Sequence, residues 1–161
     1  MPKTLSKEDA IKFLASGFGL GYSPVAPGTM GTLGGLFLYL LLPANMLWVH
    51  AGVIVLLFFC GVWAATRVEQ FLKEKDAQII VLDEVVGFLI AVFFLPRDSW
   101  LILPAGFVLF RLFDIFKPFP LQRLERIPKG WGVMLDDVGA GTYTNLILRV
   151  MLVVFSRVSL G

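Results

Sequence analysis

Five acidic residues carry the chemical content of this chain: Asp83 and Glu84 side by side, Asp114, and Asp136 and Asp137 side by side. They sit within or against strongly apolar stretches, where an ionisable group costs at least a few kcal/mol and usually marks a functional site. Five carboxylates brought to one place need counter-charge. Arg111 and Lys117, each three residues from Asp114, supply some of it. Carboxylate oxygens gathered without cysteine or histidine suit a hard divalent cation, Mg2+ above all. The single cysteine, Cys60, lies in an apolar run, so neither a disulfide framework nor a Cys-based zinc site can be built. The single histidine, His50, is far in sequence from any acid and reads as an interfacial polar residue, not as the base of a nucleophilic triad.

Adjacent helix residues point about 100° apart, so one of Asp83/Glu84 and one of Asp136/Asp137 suffice to face a given ion. Asp83 is followed four residues later by Gly87, and Asp137 by Gly141. Each acid therefore has a neighbour without a side chain one turn along its helix face, which clears space for another helix or for a ligand. A second element is the stretch from Gly17 to Gly35, with seven glycines, two prolines and the hydroxyls of Ser23, Thr29 and Thr32. It reads as a loop whose backbone amides can converge on an anion. No Gly-Lys-Ser/Thr follows it and no strand precedes it, so it is neither a P-loop nor a dinucleotide fingerprint.

The elements that must hold these residues are apolar. Hydrophobic residues make up 57% of the 161, charged residues 16%, and mean hydropathy is +0.80. Against roughly 25% charged residues in ordinary soluble domains, this is membrane composition, and it excludes a disordered tail or a nucleic-acid binder. One domain over residues 1–161 is expected. No charged residue occurs between Lys12 and Arg67. The part from Met30 to Thr66 would run about 55 Å as one helix, against a hydrocarbon core of about 30 Å, so it must fold back at Pro43-Ala44-Asn45. The limbs are Met30 to Leu42 and Met46 to Thr66. A solvated extension follows, then a hairpin of Ile79 to Leu95 and Trp100 to Phe116 around Pro96-Arg97-Asp98-Ser99. A basic loop from Lys117 to Gly130 leads into a last helix, Val133 to Phe155.

The expected fold is thus an all-α integral membrane bundle of about four to five short spanning helices. Ten basic residues (Lys3, Lys7, Lys12, Arg67, Lys73, Lys75, Lys117, Arg123, Arg126 and Lys129) fall on one side of this layout. The positive-inside rule makes that side cytoplasmic, in a multi-pass inner-membrane protein. All five acids approach the same side. The N-terminal stretch carries Glu8 and Asp9 and lacks an unbroken apolar core, so no cleaved signal peptide is expected. Acids, Mg2+ and a phosphate-ready loop at a membrane surface point to phosphoryl chemistry on a lipid head group. The competing reading is a cation transporter or channel subunit with an acidic cytoplasmic vestibule. It calls for polar residues down through the bilayer, yet Ile90 to Leu95 and Leu36 to Leu42 are wholly apolar.

Four stretches, SPVAPGTMGTLGG (Ser23 to Gly35), DEVVGFLI (Asp83 to Ile90), FRLFDIFKPFP (Phe110 to Pro120) and GVMLDDVGAGTYTN (Gly132 to Asn145), resemble the phosphatidylglycerophosphatase A family in family order. The resemblance implies Mg2+-dependent hydrolysis of the terminal phosphomonoester of phosphatidylglycerophosphate, a phospholipid substrate, at the membrane. It implies catalytic roles for Asp83, Glu84, Asp114, Asp136 and Asp137. Substrate contacts are expected from Thr29, Thr32, Lys117 and Arg111, with Gly28 and Gly31 allowing backbone approach. Glu84, Asp114 and Asp137 are the expected metal ligands.

Overall fold

A computed structural model describes residues 6–97, 99 and 101–158; Lys3, Asp98 and Trp100, named in the sequence layout, lie outside them. Among the described residues there are seven α-helices and no strand. They are α1 (Lys7–Ala15), α2 (Pro27–Leu41), α3 (Leu47–Leu72), α4 (Leu82–Ala91), α5 (Ile102–Phe116), α6 (Leu121–Leu124) and α7 (Gly130–Val158), with one 3-10 turn at Leu20–Tyr22.

The boundaries follow local chemistry. A capping box between Ser6 and Asp9 opens α1. Pro27 at the first position opens α2, where its missing N–H costs nothing, and Leu42, extended because Pro43 follows it, closes it. Lys73 and Lys117 end α3 and α5 in left-handed conformations. Two boundaries differ from the sequence layout. The helix beginning α2 reaches back to Pro27, so Gly28, Thr29, Gly31 and Thr32 are helical and not a free loop. The hairpin arm expected from Ile79 is helical only from Leu82, because the Val81 amide donates to the carbonyl of Ala15 at the end of α1.

The ten-residue α4 is the centre of the fold. Leu82, Asp83, Val85, Val86, Gly87, Phe88, Leu89 and Ala91 are all buried, walled by α2, α3, α5 and α7. Around it the outer faces are apolar: Leu33, Phe37 and Leu40 on α2, Leu56, Phe59 and Trp63 on α3, Val108 and Leu112 on α5, and Val150, Val153 and Val154 on α7 are exposed. An apolar core wrapped in an apolar exterior is what a hydrocarbon solvent selects. Two helices, α3 and α7, are long and apolar enough to cross a bilayer unaided. Only 22% of the most apolar window of each is buried, unlike the core helix of a water-soluble protein. At 1.5 Å per residue, α2 and α5 reach about 22 Å and α4 about 15 Å, short of a core of about 30 Å. Of the four to five short spanning helices expected, two among the described residues have the length and composition of a full crossing, and the others are short.

The end of α4 is closed by α7. Asn145 donates through Nδ2 to the carbonyls of Ile90, Ala91 and Phe93, and its Oδ1 accepts from Arg149 Nε at 2.7 Å. These carbonyls lie at and just beyond the helix terminus, where intrahelical partners run out, and the Asn145 amide supplies donors for them. Arg97, expected as a charge in a polar turn, instead donates to the carbonyls of Tyr39 and Leu42 at the end of α2. His50 lies beside it, buried, with Nε2 3.1 Å from both Arg97 Nη2 and the carbonyl oxygen of Pro43.

Candidate functional site

All five acids meet at one end of the bundle. Asp83 and Glu84 are the second and third residues of α4, where unpaired backbone N–H groups and the positive end of the helix dipole favour carboxylates. Arg111 and Asp114 come from the last turns of α5, and Asp136 and Asp137 from the second turn of α7. Gly28, at the second position of α2, closes the site from the remaining side. A Cβ there would lie 2.2 Å from Glu84 Oε1 and 2.9 Å from Arg111 Nη1, so a larger residue would have to turn these two side-chain tips aside. The result is a pocket of about 550 Å3 lined by these residues together with Lys117, Asp76 and Gln78.

Two cations are committed within it. Arg111 pairs closely with Asp114 and lies 3.7 Å from Glu84 Oε1. Lys117 Nζ donates to Asp136 Oδ2 at 2.6 Å and lies 3.5 Å from Glu125 Oε1. Burial alone would lower the Lys117 pKa, but the hydrogen bond from its ammonium to Asp136, the Asp136 charge and then Glu125 outweigh it and raise it, so the ammonium stays protonated. The amide of Asp137 donates to Asp136 Oδ1.

Three oxygens are left over. Asp83 Oδ1, Glu84 Oε2 and Asp137 Oδ2 are buried without any hydrogen-bond partner, as is the donor Arg111 Nε. A ligand atom from each of these three acids lies within 4.8 Å of the others. A buried unpaired polar atom costs roughly 1–3 kcal/mol, more if charged, so three acceptors facing one point form a place for a cation. An all-oxygen, anionic donor set suits Mg2+, Mn2+ or Ca2+. This buried cluster could bind a metal ion. It draws both members of the Asp83/Glu84 pair, where the helix period required one. It brings together Glu84 and Asp137 of the three expected ligands with Asp83, while Asp114 pairs with Arg111.

The glycine-rich stretch contributes less than its composition promised. Gly28 lines the pocket; Thr29, Gly31 and Thr32 do not. The Thr32 hydroxyl is enclosed and donates to the carbonyl of Gly28 at 2.9 Å, within its own helix. A Cβ on Gly31 would meet Val81 at 2.8 Å, so that glycine serves the approach of α2 to the start of α4. Asp76 and Gln78, which reach the pocket rim, escaped the sequence reading because they fall in a polar segment that looked like a solvated tail. No local signal told that this segment folds back over the acids.

The profile of the family described as Phosphatidylglycerophosphatase A matches residues 13–152. A Bacteroides thetaiotaomicron protein named "Putative phosphatidylinositol-3-phosphatase" is 41% identical over 145 residues, covering 85% of this chain and 90% of that protein. The Phosphatidylglycerophosphatase A of Escherichia coli is 39% identical over 138 residues (84% and 79%), and that of Haemophilus influenzae 38% over 149 residues (91% of each). No solved structure matches the chain significantly.

Proposed function

The chain belongs to the phosphatidylglycerophosphatase A family, and from that membership we propose that it hydrolyses the terminal phosphomonoester of phosphatidylglycerophosphate to phosphatidylglycerol and phosphate, using Mg2+. The observation that carries the metal part of this reading is the trio of unpaired buried oxygens on Asp83, Glu84 and Asp137. A phosphomonoester is an anion, and the pocket presents six carboxylates against two basic side chains. Such a pocket repels its substrate unless it also holds a cation. When bound to the three acids, Mg2+ supplies the positive charge that the phosphoryl oxygens require.

The remaining roles follow from the side chains themselves. Arg111, which lines the pocket and keeps its Nε–H without a partner, binds a phosphoryl oxygen. Asp114, held by Arg111, accepts a proton from the attacking water as its oxygen bonds to phosphorus. As the phosphorus–oxygen ester bond breaks, the Lys117 ammonium stands against the charge developing on the glycerol oxygen, which takes a proton from solvent water to become the free alcohol, while Asp114 later returns its proton to solvent. Asp136 keeps Lys117 protonated and oriented. Gly28 leaves room for the phosphate at the open end of α2, whose first amides point at it.

The wider reading is a single domain in the inner membrane, multi-pass, with the site facing the cytoplasm, as the one-sided distribution of basic residues supports. A transport path finds no support, since α4 continues below its acids with Val85, Val86, Phe88 and Leu89, all buried and apolar.

The deciding experiment is phosphate release by the purified chain from phosphatidylglycerophosphate, phosphatidylinositol 3-phosphate and phosphatidic acid, with Mg2+ and with chelator. Release fastest from phosphatidylglycerophosphate and abolished by chelator is expected. Preference for the inositol lipid would transfer the assignment to that substrate, and undiminished release in chelator would remove the metal from it.

A further inference from the structure

The acid pocket shares Ile115 and Lys117 with an adjoining depression of about 480 Å3 between the end of α5 and α6. Its other walls are Lys75, Phe116, Gln122, Glu125 and Arg126. The two hollows have opposite character: here three basic residues face one carboxylate. Much of that basicity is engaged, since Lys75 donates to the Glu125 carbonyl at 2.7 Å and Lys117 is held by Asp136. Arg126 and Gln122, both exposed, make no hydrogen bond or ion pair with any described residue. Ile115 and Phe116, 65% and 72% exposed, form an apolar lip at the same place.

Free guanidinium and amide donors beside an exposed apolar lip fit an anion that carries a hydrocarbon chain. We propose that this depression is the subsite for the phosphodiester of the lipid substrate, bound by Arg126 and Gln122, with the acyl chains leaving over Ile115 and Phe116. The inference rests on the reading of the acid pocket as the phosphomonoester site. The two phosphates of phosphatidylglycerophosphate are joined by one glycerol unit, so their sites must adjoin, as hollows sharing Lys117 and Ile115 do. A phosphodiester bears one permanent negative charge, which a guanidinium fork matches without a metal ion. Among six carboxylates that charge would be repelled. The subsite therefore makes the enzyme select lipids with a second phosphate over phosphatidic acid, whose monoester is attached directly to diacylglycerol.

The test uses the full chain in detergent micelles with Mg2+, comparing phosphatidylglycerophosphate with two monoesters that lack a diester, phosphatidic acid and p-nitrophenyl phosphate. Arg126→Ala should reduce kcat/KM for phosphatidylglycerophosphate roughly ten- to a hundredfold, mainly through KM, because a hydrogen bond to a charged group is lost. It should leave the other two substrates and the Tm unchanged. Gln122→Ala should give a smaller effect of the same selectivity, and Arg126→Lys should recover part of the loss by keeping the charge without the fork. Inhibition of p-nitrophenyl phosphate hydrolysis by phosphatidylglycerol, which retains the diester, should weaken in Arg126→Ala. Equal losses on all substrates, or none on phosphatidylglycerophosphate, would overturn the subsite while leaving the phosphatase reading intact. A wild-type chain that releases no phosphate from phosphatidylglycerophosphate would instead overturn both.

Discussion

A Cβ placed on Gly141 would lie 2.2 Å from the carbonyl oxygen of Gly87. At this point α4 and α7 touch backbone to backbone, one helical turn beyond Asp83 and Asp137. Gly141 leaves room for the carbonyl of Gly87 and Gly87 for that of Asp137, and the acids above them are brought together as a result. The same crossing seats Phe110 against Gly87, where a Cβ would come within 2.6 Å of the ring.

Gly141→Ala should therefore separate α4 from α7. Overpacking of this kind costs roughly 1–3 kcal/mol, and because the displaced helices carry the acids, metal binding should weaken along with Tm. Thermal denaturation with and without Mg2+ would show it: the shift in Tm that Mg2+ produces in the wild type should shrink in the variant. An undiminished shift would mean that the crossing is a packing feature alone.

Asp83→Asn, Glu84→Gln and Asp137→Asn each remove a charge from the oxygen trio, so Mn2+ affinity followed by electron paramagnetic resonance should fall at least tenfold, about 1.4 kcal/mol, in each. Asp114→Asn should keep the affinity and lose turnover, by a factor on the order of 100 to 10,000 if it handles the water. Weakened Mn2+ binding in Asp114→Asn would return that residue to the ligand set.

At the α2 entrance, Gly28→Ala sets a methyl group against Glu84 Oε1 and the Arg111 guanidinium, two side-chain tips that must turn aside, and activity should fall while the helix itself gains propensity. Thr32→Val should do the reverse. It removes a hydroxyl bonded only within the helix, for a stability cost of about 0.5–1.5 kcal/mol, and kcat/KM should stay within a few-fold of wild type. A large kinetic loss in Thr32→Val would restore that hydroxyl to the substrate.

Lys117→Met leaves the buried Asp136 without its cation, and breaking a buried pair from one side costs roughly 3–5 kcal/mol. The folded-state pKa of Lys117 is raised above its unfolded value of about 10.4, so its stabilisation is fully present below that value and is lost only as pH rises through the higher, folded one. The stability gap between wild type and variant, measured by denaturant unfolding, should thus not narrow between pH 7 and about 9. A gap that closes within that range would show Lys117 deprotonating early.

Orientation can be read with an impermeant thiol reagent on intact cells, in a Cys60→Ala background. Ala44, at the exposed turn between α2 and α3, is a suitable outer position because Arg97 is occupied with backbone carbonyls. A cysteine at Ala44 should be labelled, and cysteines at Lys73 and Lys129, near the acid end, should be protected. The opposite pattern would place the acids outside.

Residue types and spacing alone decide a good deal here. Charge-free stretches with few polar interruptions can only be buried or lie in lipid, so an all-helical membrane fold was legible, as were its corner at Pro43 and the gathering of Asp83, Glu84, Asp114, Asp136 and Asp137 at one end. Helix lengths were less legible, because hydropathy does not register that Val81 bonds to Ala15 or that Asn145 ends α4 after ten residues. Which partner each acid takes belonged wholly to tertiary structure. Arg111 and Lys117 are equally distant from Asp114 in sequence, yet Arg111 takes Asp114 while Lys117 takes Asp136, nineteen residues away. Which oxygens remain unpaired depends on those choices, and they depend on how closely α2, α4 and α7 approach. That approach is set at Gly31, Gly87 and Gly141, where the missing side chains act on partners far along the chain.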